Sequence, residues 1–461
     1  MQGLCLPIFW RYLIVKSFYT LIFCLSIIII DPWGVSRGEI WTQPKVLAIL
    51  LITLFNLCIL WDKKSALTIP RSWKISAVLW LLFLCTGIIS TFLSPFPIRS
   101  LFGQDQMGDG LLYWLLVATF TLSNTLILRR YPQLLLAQLY GFFIGGIILA
   151  FSTFPQLIDW RIDYTATTGK LLRDNILVST IFQNHQPIGL YSHRGHAAFV
   201  LATIGVMAVA SIQLRWVSLK RTVAIIIPIT IALLLANTRM TLIVFILGIL
   251  CLLGRKYYRR LIPIVLVFLV VISFTTTTRY RQISGFSLLK QMTSDRIYLW
   301  QLASRGIKKR PLFGWGFNGF GIAYPNIKSK KNTPNVVRLG NVSYDVIDKN
   351  GKLRTLPLIT YKAHNLILDT ILSVGILGML SYTALWGYYI FLLVRSSDRK
   401  MLVVGIAYLV FTITWFECAQ FTYIAWWAIS IYFHPNLGSL LEKSERKKLS
   451  QMANSAIGVV D

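Results

Sequence analysis

Between Leu111 and Leu128 the chain reads LLYWLLVATFTLSNTLIL, eighteen residues without a charge. Wound as a helix at about 1.5 Å per residue, such a run nearly matches the ~30 Å hydrocarbon core of a bilayer. In lipid its backbone N–H and C=O groups find partners only within a helix. Similar runs recur near residues 12–30, 46–61, 75–93, 134–153, 197–213, 222–236, 240–253, 261–276, 365–394, 401–418 and 421–434. Twelve runs predict an all-α polytopic membrane protein and exclude a soluble one. The seventh and eighth meet at Ala236–Arg239, and the last two nearly touch, so either pair also fits a re-entrant hairpin. The first run has no small-residue cleavage site after it and reads as a retained helix.

Lys and Arg concentrate in short cytoplasmic connections, which sets the expected orientation. The even-numbered connections, the first residues and the tail hold 22 of the 46 Lys and Arg residues. The short odd-numbered connections hold only Arg37, Lys45, Arg99 and Arg239. Both termini are therefore expected in the cytoplasm. The chain then divides into residues 1–276 (helices 1 to 9, with an outer loop at 154–196), 277–363 (a large basic periplasmic loop), 364–434 (helices 10 to 12) and 435–461 (a basic cytoplasmic tail).

The large loop carries 16 Lys or Arg against Asp295, Asp345 and Asp348, a net of +13 in 87 residues. Long segments cross the membrane largely regardless of charge, so the orientation stands. A basic surface suits nucleic acid, anionic lipid or a phosphorylated ligand. Outside the cytoplasmic membrane nucleic acid drops out, leaving lipid headgroups or a pyrophosphate carried by a substrate in the outer leaflet. A merely solvated loop is the plain alternative. Against it stand Tyr298–Trp300 and Phe313–Phe317, aromatic runs of the kind that sit at a membrane interface.

Within this loop Ile297, Leu299, Trp300, Leu302, Ala303 and Ile307 space out as an amphipathic helix, with basic residues at its end and Pro311 to stop it. Gly314, Gly316 and Gly319 match a dinucleotide-type glycine pattern, but no strand precedes them and they lie on the wrong side of the membrane for such a cofactor. Their expected use is tight backbone approach. The six cysteines lie in or beside predicted helices, which suggests neither a disulfide framework nor a metal site.

The tenth run opens at its outer end with Lys362-Ala363-His364-Asn365. The positive pole of the helix and the basic loop both disfavour imidazolium there, which predicts a neutral His364 able to accept a proton. Projected on one continuous helix, Gly375 lies about 20° from His364, Gly378 about 40° to the other side and Asp369 about 140° away. The glycines would notch the helix face for close packing. Asp369 and Glu417, carboxyl groups inside predicted spans, each cost roughly 2.5–3.5 kcal/mol to insert, which marks them as site candidates or as partners of a neighbouring helix.

His364-Asn365, nine residues, Gly375, two residues and Gly378 together resemble the His-Asn-x9-Gly-x-x-Gly signature of the O-antigen ligase and polymerase superfamily. Asn237-Thr238-Arg239 is similar to that family's Ser-Arg motif. Ser294-Asp295-Arg296 with Trp300, followed by Pro311-Leu312-Phe313-Gly314-Trp315-Gly316, resembles the motifs opening its large periplasmic loop. Gly189 to His196 occupies the place of a family segment that opens a span. The resemblance covers roughly residues 180–395. Two departures stand out: Ser373 replaces a glutamate often found before the first glycine, and Asn237-Thr238 replaces the serine of the arginine motif.

The resemblance implies a GT-C-like membrane glycosyltransferase of the bacterial cytoplasmic (inner) membrane, with its active site facing the periplasm. It would move a glycan from undecaprenyl pyrophosphate to an acceptor hydroxyl, on a lipid core or another glycan, with no cofactor and no metal. His364 would be the base, and Arg239 and Arg296 would bind the pyrophosphate. Asn365, Arg194, His193, His196, Arg279, Arg281 and Asp369 form a second tier. A ligase and an exopolysaccharide polymerase share this architecture, and a further branch glycosylates protein serine. A transporter of the inorganic-carbon type is the competing class, and a receptor that binds lipid-linked glycan without turnover is another. The transporter predicts a polar path through the membrane and repeated halves; the sequence has only Asp369 and Glu417 as intramembrane acids and no evident repeat.

Overall fold

A computed structural model describes residues 8–62, 69–158, 187–253, 296–328, 335–348, 350–358, 360–396 and 399–432. The ninth expected run, 261–276, lies outside the described residues, as do Arg279, Arg281, Asp295 and the tail.

The elements run α1 (Ile8–Ile28), α2 (Gln43–Asp62) entered through a π-helical turn at Gly38–Thr42, α3 (Arg71–Phe92), α4 (Pro97–Phe102), α5 (Leu111–Arg130) and α6 (Leu134–Phe151). After these come α7 (Arg194–Gln213), α8 (Leu219–Ala236), α9 (Arg239–Leu253), α10 (Arg296–Lys309) and α11 (Gly319–Lys328). Strands β1 (Asn335–Leu339), β2 (Ser343–Ile347) and β3 (Leu353–Pro357) precede α12 (Leu366–Arg395), α13 (Leu402–Ile413) and α14 (Thr422–Ile429). Seven helical stretches among the described residues are long and apolar enough to cross a membrane: Gly38–Trp61, Arg71–Phe92, Leu111–Arg130, Leu134–Leu157, Arg194–Gln213, Leu219–Ala236 and Leu366–Arg395. The protein is thus a mostly helical, multi-pass membrane protein.

Two expected runs take another form. Residues 401–418 and 421–434 become helices of 12 and 8 residues, shorter than the ~20 that a crossing needs. All of α14 is buried. Trp426 packs against Trp80 at 4.5 Å and Trp386 at 4.9 Å, and Trp427 against Phe142 at 4.8 Å. This apolar sequence therefore faces protein rather than lipid.

The large loop is not wholly helical either. Its three strands form an antiparallel sheet in the order β1-β2-β3, with Tyr344 opposite Leu356 and Val346 opposite Arg354. Tyr344 and Val346 point into a small core with Leu302, Trp315, Phe320 and Tyr324, which seats the sheet on α10 and α11. The strands are short and mostly exposed, so their apolar alternation was too weak to stand out beside the membrane runs.

The principal departure is in α12. The sequence suggested one continuous helix, but at Gly375 the backbone turns to φ 71°, ψ −176° and the helix breaks. Pro311–Gly316 docks into the break. The amides of Trp315 and Gly316 donate to the carbonyls of Leu372 (2.8 Å) and Ser373 (3.0 Å), and the amide of Ile376 donates to the carbonyl of Pro311 (2.8 Å). A Cβ on Gly375 would lie 2.0 Å from the Leu312 carbonyl oxygen, and one on Gly314 would lie 2.6 Å from that of Leu372. The glycines of the loop thus serve close backbone approach, as their pattern suggested. Gly378 sits where an added Cβ would come within 3.2 Å of Thr86 on α3.

Gly375→Ala should accordingly cost about 3 kcal/mol or more, from the backbone region and the clash together. Gly387, later in the same helix, has nothing within 4 Å of an added Cβ. Gly387→Ala should be neutral or stabilise by up to ~1 kcal/mol. Thermal unfolding of the two variants in detergent checks this contrast.

Candidate active site

Residues of five of the six odd-numbered connections meet at one end of the bundle, joined by a buried polar network. The Gln420 carboxamide donates to Ser192 Oγ (2.7 Å) and Thr42 Oγ1 (2.9 Å). Thr42 Oγ1 donates to the Gln106 carbonyl (2.6 Å), and the Tyr361 hydroxyl donates to Gln106 Oε1 (2.7 Å). Five separate connections are tied together here.

His364 stands in this layer, ahead of α12 and not on it. Asn365 caps the helix, its side-chain oxygen accepting from the Leu368 amide at 3.1 Å. The residue before the cap leaves the helical conformation, and His364 has φ 56°. The projected alignment of His364 over Gly375 therefore does not describe the protein. The imidazole packs edge-on against Phe416 (4.8 Å between centroids) and Trp415 (5.3 Å). Its Nδ1 is buried without a hydrogen-bond partner among the described residues.

Trp415 gathers the other candidates. The Arg296 guanidinium, at the start of α10, lies 5.6 Å from the centre of the Trp415 ring, within cation–π range. His193 lies 5.4 Å from the same ring and 5.6 Å from His196. His193 caps α7, its Nδ1 accepting from the Gly195 amide at 2.9 Å. His196, one turn further, is buried, with Nδ1 3.3 Å from Ser192 Oγ. Arg194, the first residue of α7, acts on His193.

Burial, then Arg296, His193 and Lys362, push the pKa of His364 down to about 3. The direction is the one the sequence suggests, with burial as the first cause and the basic neighbours after it. His193 is pushed down to about 4 by burial, then by Arg194 and Arg37. A neutral imidazole beside a guanidinium can accept a proton from a hydroxyl while the cation faces a departing anion.

Other candidates are placed differently. Arg239 is exposed at the start of α9 and is not among the charges acting on His364. Asp369 turns back toward the loop, its Oδ1 accepting from the Ala363 amide at 2.8 Å, and so anchors the backbone ahead of His364. Glu417 accepts hydrogen bonds from the Tyr382 and Tyr408 hydroxyls. Trp415 and Phe416 went unrecognised in the sequence because they lay inside an expected span. The signal was available: Trp415-Phe416-Glu417-Cys418-Ala419-Gln420 interrupts an apolar run with polar and aromatic residues together.

Fold and site together define a polytopic membrane protein whose polar chemistry is gathered at one end of the bundle. Residues 223–383, which include Arg239, Arg296 and His364, match the model of the O-antigen ligase family. That segment, about a third of the chain, is thus similar to a family of membrane transferases. No curated protein matches the chain.

A pH dependence of stability follows from the neutral histidines. Folded, His364 stays neutral down to about 3, whereas unfolded it takes up a proton near its ordinary 6.5. Between those values the unfolded state holds the extra proton, so stability falls as pH is lowered. The loss approaches ~1.4 kcal/mol per pH unit for each such histidine. His193 adds a like contribution from 6.5 down to about 4. Acid unfolding in detergent, followed by circular dichroism, should show a shallower slope in His364→Gln than in wild type.

Proposed function

We propose that the protein is a glycosyltransferase of O-antigen ligase type, moving a glycan from undecaprenyl pyrophosphate to an acceptor hydroxyl on the periplasmic side of the inner membrane. The observation that carries this reading is a half-buried, neutral His364 with the Arg296 guanidinium packed against the same Trp415 ring. In the proposed reaction His364 takes the proton of the acceptor hydroxyl. The acceptor oxygen bonds to the anomeric carbon, the bond from that carbon to the phosphate oxygen breaks, and its electron pair leaves with the pyrophosphate. Arg296 meets the growing negative charge, for which its forked donors suit phosphate oxygens. Arg239 keeps its proposed role on the pyrophosphate from the outer end of α9.

The broken helix also supports a transferase over a transporter. Transporters leave unwound backbone groups free to coordinate their cargo. In α12 the carbonyls of Leu372 and Ser373 and the amide of Ile376 are bonded to residues 311–316.

Purified protein in liposomes, given undecaprenyl-pyrophosphate-linked glycan and an acceptor, tests the assignment. His364→Ala should lower the transfer rate about 10²–10⁴-fold, and Arg296→Ala about 10²–10³-fold. His364→Ala that transfers as fast as wild type removes the base. Unchanged undecaprenyl pyrophosphate binding in Arg239→Ala and Arg296→Ala removes the leaving-group role. Deleting the gene and profiling surface glycans on gels separates ligase from polymerase. Loss of all long chains from the lipid core favours the ligase, and survival of a single repeat on the core favours the polymerase.

A further inference from the structure

His364 holds a left-handed backbone conformation, with φ 56°, which is unfavourable for an L-residue. Such a conformation persists only where the surroundings fix it. Asn365 fixes the following side by capping α12. On the preceding side Lys362 is buried in an ion pair with Asp109, their side chains 7% and 6% exposed. Asp109 is itself held, its Oδ1 accepting from the Gln104 amide at 3.1 Å and its Oδ2 from the Asn318 carboxamide at 3.3 Å. It belongs to the connection between α4 and α5, far from His364 in sequence.

We propose that Asp109 and Lys362 are positioning residues for His364: their ion pair fastens the 361–365 segment to the connection before α5 and so aims the imidazole at the site. This rests on the reading of His364 as the base. Neither side chain is in ring contact with His364, which packs on Trp415 and Phe416. Lys362 instead lines a small internal cavity with Asp109, Asp369 and Glu417. Arg99 faces Asp109 from α4, while Asp369 and Glu417 act on Lys362 from α12 and the α13–α14 connection. Burial would lower the pKa of Lys362, but Asp109, then Asp369, keep it above its ordinary value. Burial would likewise raise Asp109, and Lys362 holds it below. Both partners are therefore charged, and removing either strands the other. Buried pairs of this kind commonly add little net stability, which fits a geometric role.

The test uses Asp109→Asn, Lys362→Met and the double variant of the full chain, with two readouts. In the liposome assay each single substitution should lower kcat about a hundredfold, as a misplacement near 1 Å does, with the donor KM within about threefold of wild type. The double variant should be no worse than either single variant, since both break one tie. The second readout is the imidazole Cε1–H resonance of His364, assigned by its disappearance in His364→Gln and tractable in a chain with five histidines. Ring currents from Trp415 and Phe416 displace it in wild type, and the displacement should collapse in the folded variants. Losses that add across the two positions, or an unmoved resonance in folded variants, overturn the proposal. Should a single variant fail to fold, the resonance in the double variant, which leaves neither member of the pair without its partner, decides in the same way. Failure of the glycosyltransferase reading shows separately, as His364→Ala without loss of transfer, and leaves the resonance readout standing.

Discussion

The polar end of this bundle depends on the break in α12 at Gly375 and on the backbone that fills it. A helix interrupted inside a membrane exposes carbonyl and amide groups that lipid cannot satisfy, at several kcal/mol each. The break is tolerable because Pro311–Gly316 supplies partners on both sides of it. Ser90 of α3 reinforces the joint, donating to the Ser373 carbonyl (2.6 Å) and accepting from the Gly316 amide (3.0 Å). Docked in this way, the segment fixes where α10 ends and α11 begins. Helix α10 carries Arg296, and α11 carries the sheet, so both hang from one joint.

Above that joint the same burial gives opposite outcomes for two neighbouring side chains. Lys362 stays charged because Asp109 meets it in the interior, whereas His364 is kept neutral by burial and then by Arg296, with no carboxylate among the described residues acting on it. A fixed cation and a neutral proton acceptor two residues apart are compatible, since Lys362 itself disfavours a proton on His364. Carboxylates on one side and a guanidinium with Trp415 on the other separate the two environments.

Much of the arrangement was legible in the chain. Apolar runs set the helices through α9 closely, because membrane crossing demands length and little else. Pro311 and the spacing before it set α10, and the glycines at 314, 316 and 319 announced close backbone approach. His364 and Arg296 stood out by position and meet at one ring in the fold. Trp415 and Asp109 did not stand out, because each acquires meaning only from residues distant in sequence. The 8-residue α14 was overestimated as a span for a related reason: hydropathy does not distinguish an apolar segment facing lipid from one facing protein.

The sequence by itself determined that this chain is a multi-pass helical membrane protein with His364, Arg296 and Arg239 in its odd-numbered connections. Those properties follow from residue-by-residue transfer between water and hydrocarbon, which local composition records. Only the tertiary structure decided that α12 breaks at Gly375, that His364 lies outside the helix, and that Asp369 accepts from the Ala363 amide. Each of these is settled by which distant group satisfies a buried donor, acceptor or charge, and no local stretch of sequence contains both members of such a pair.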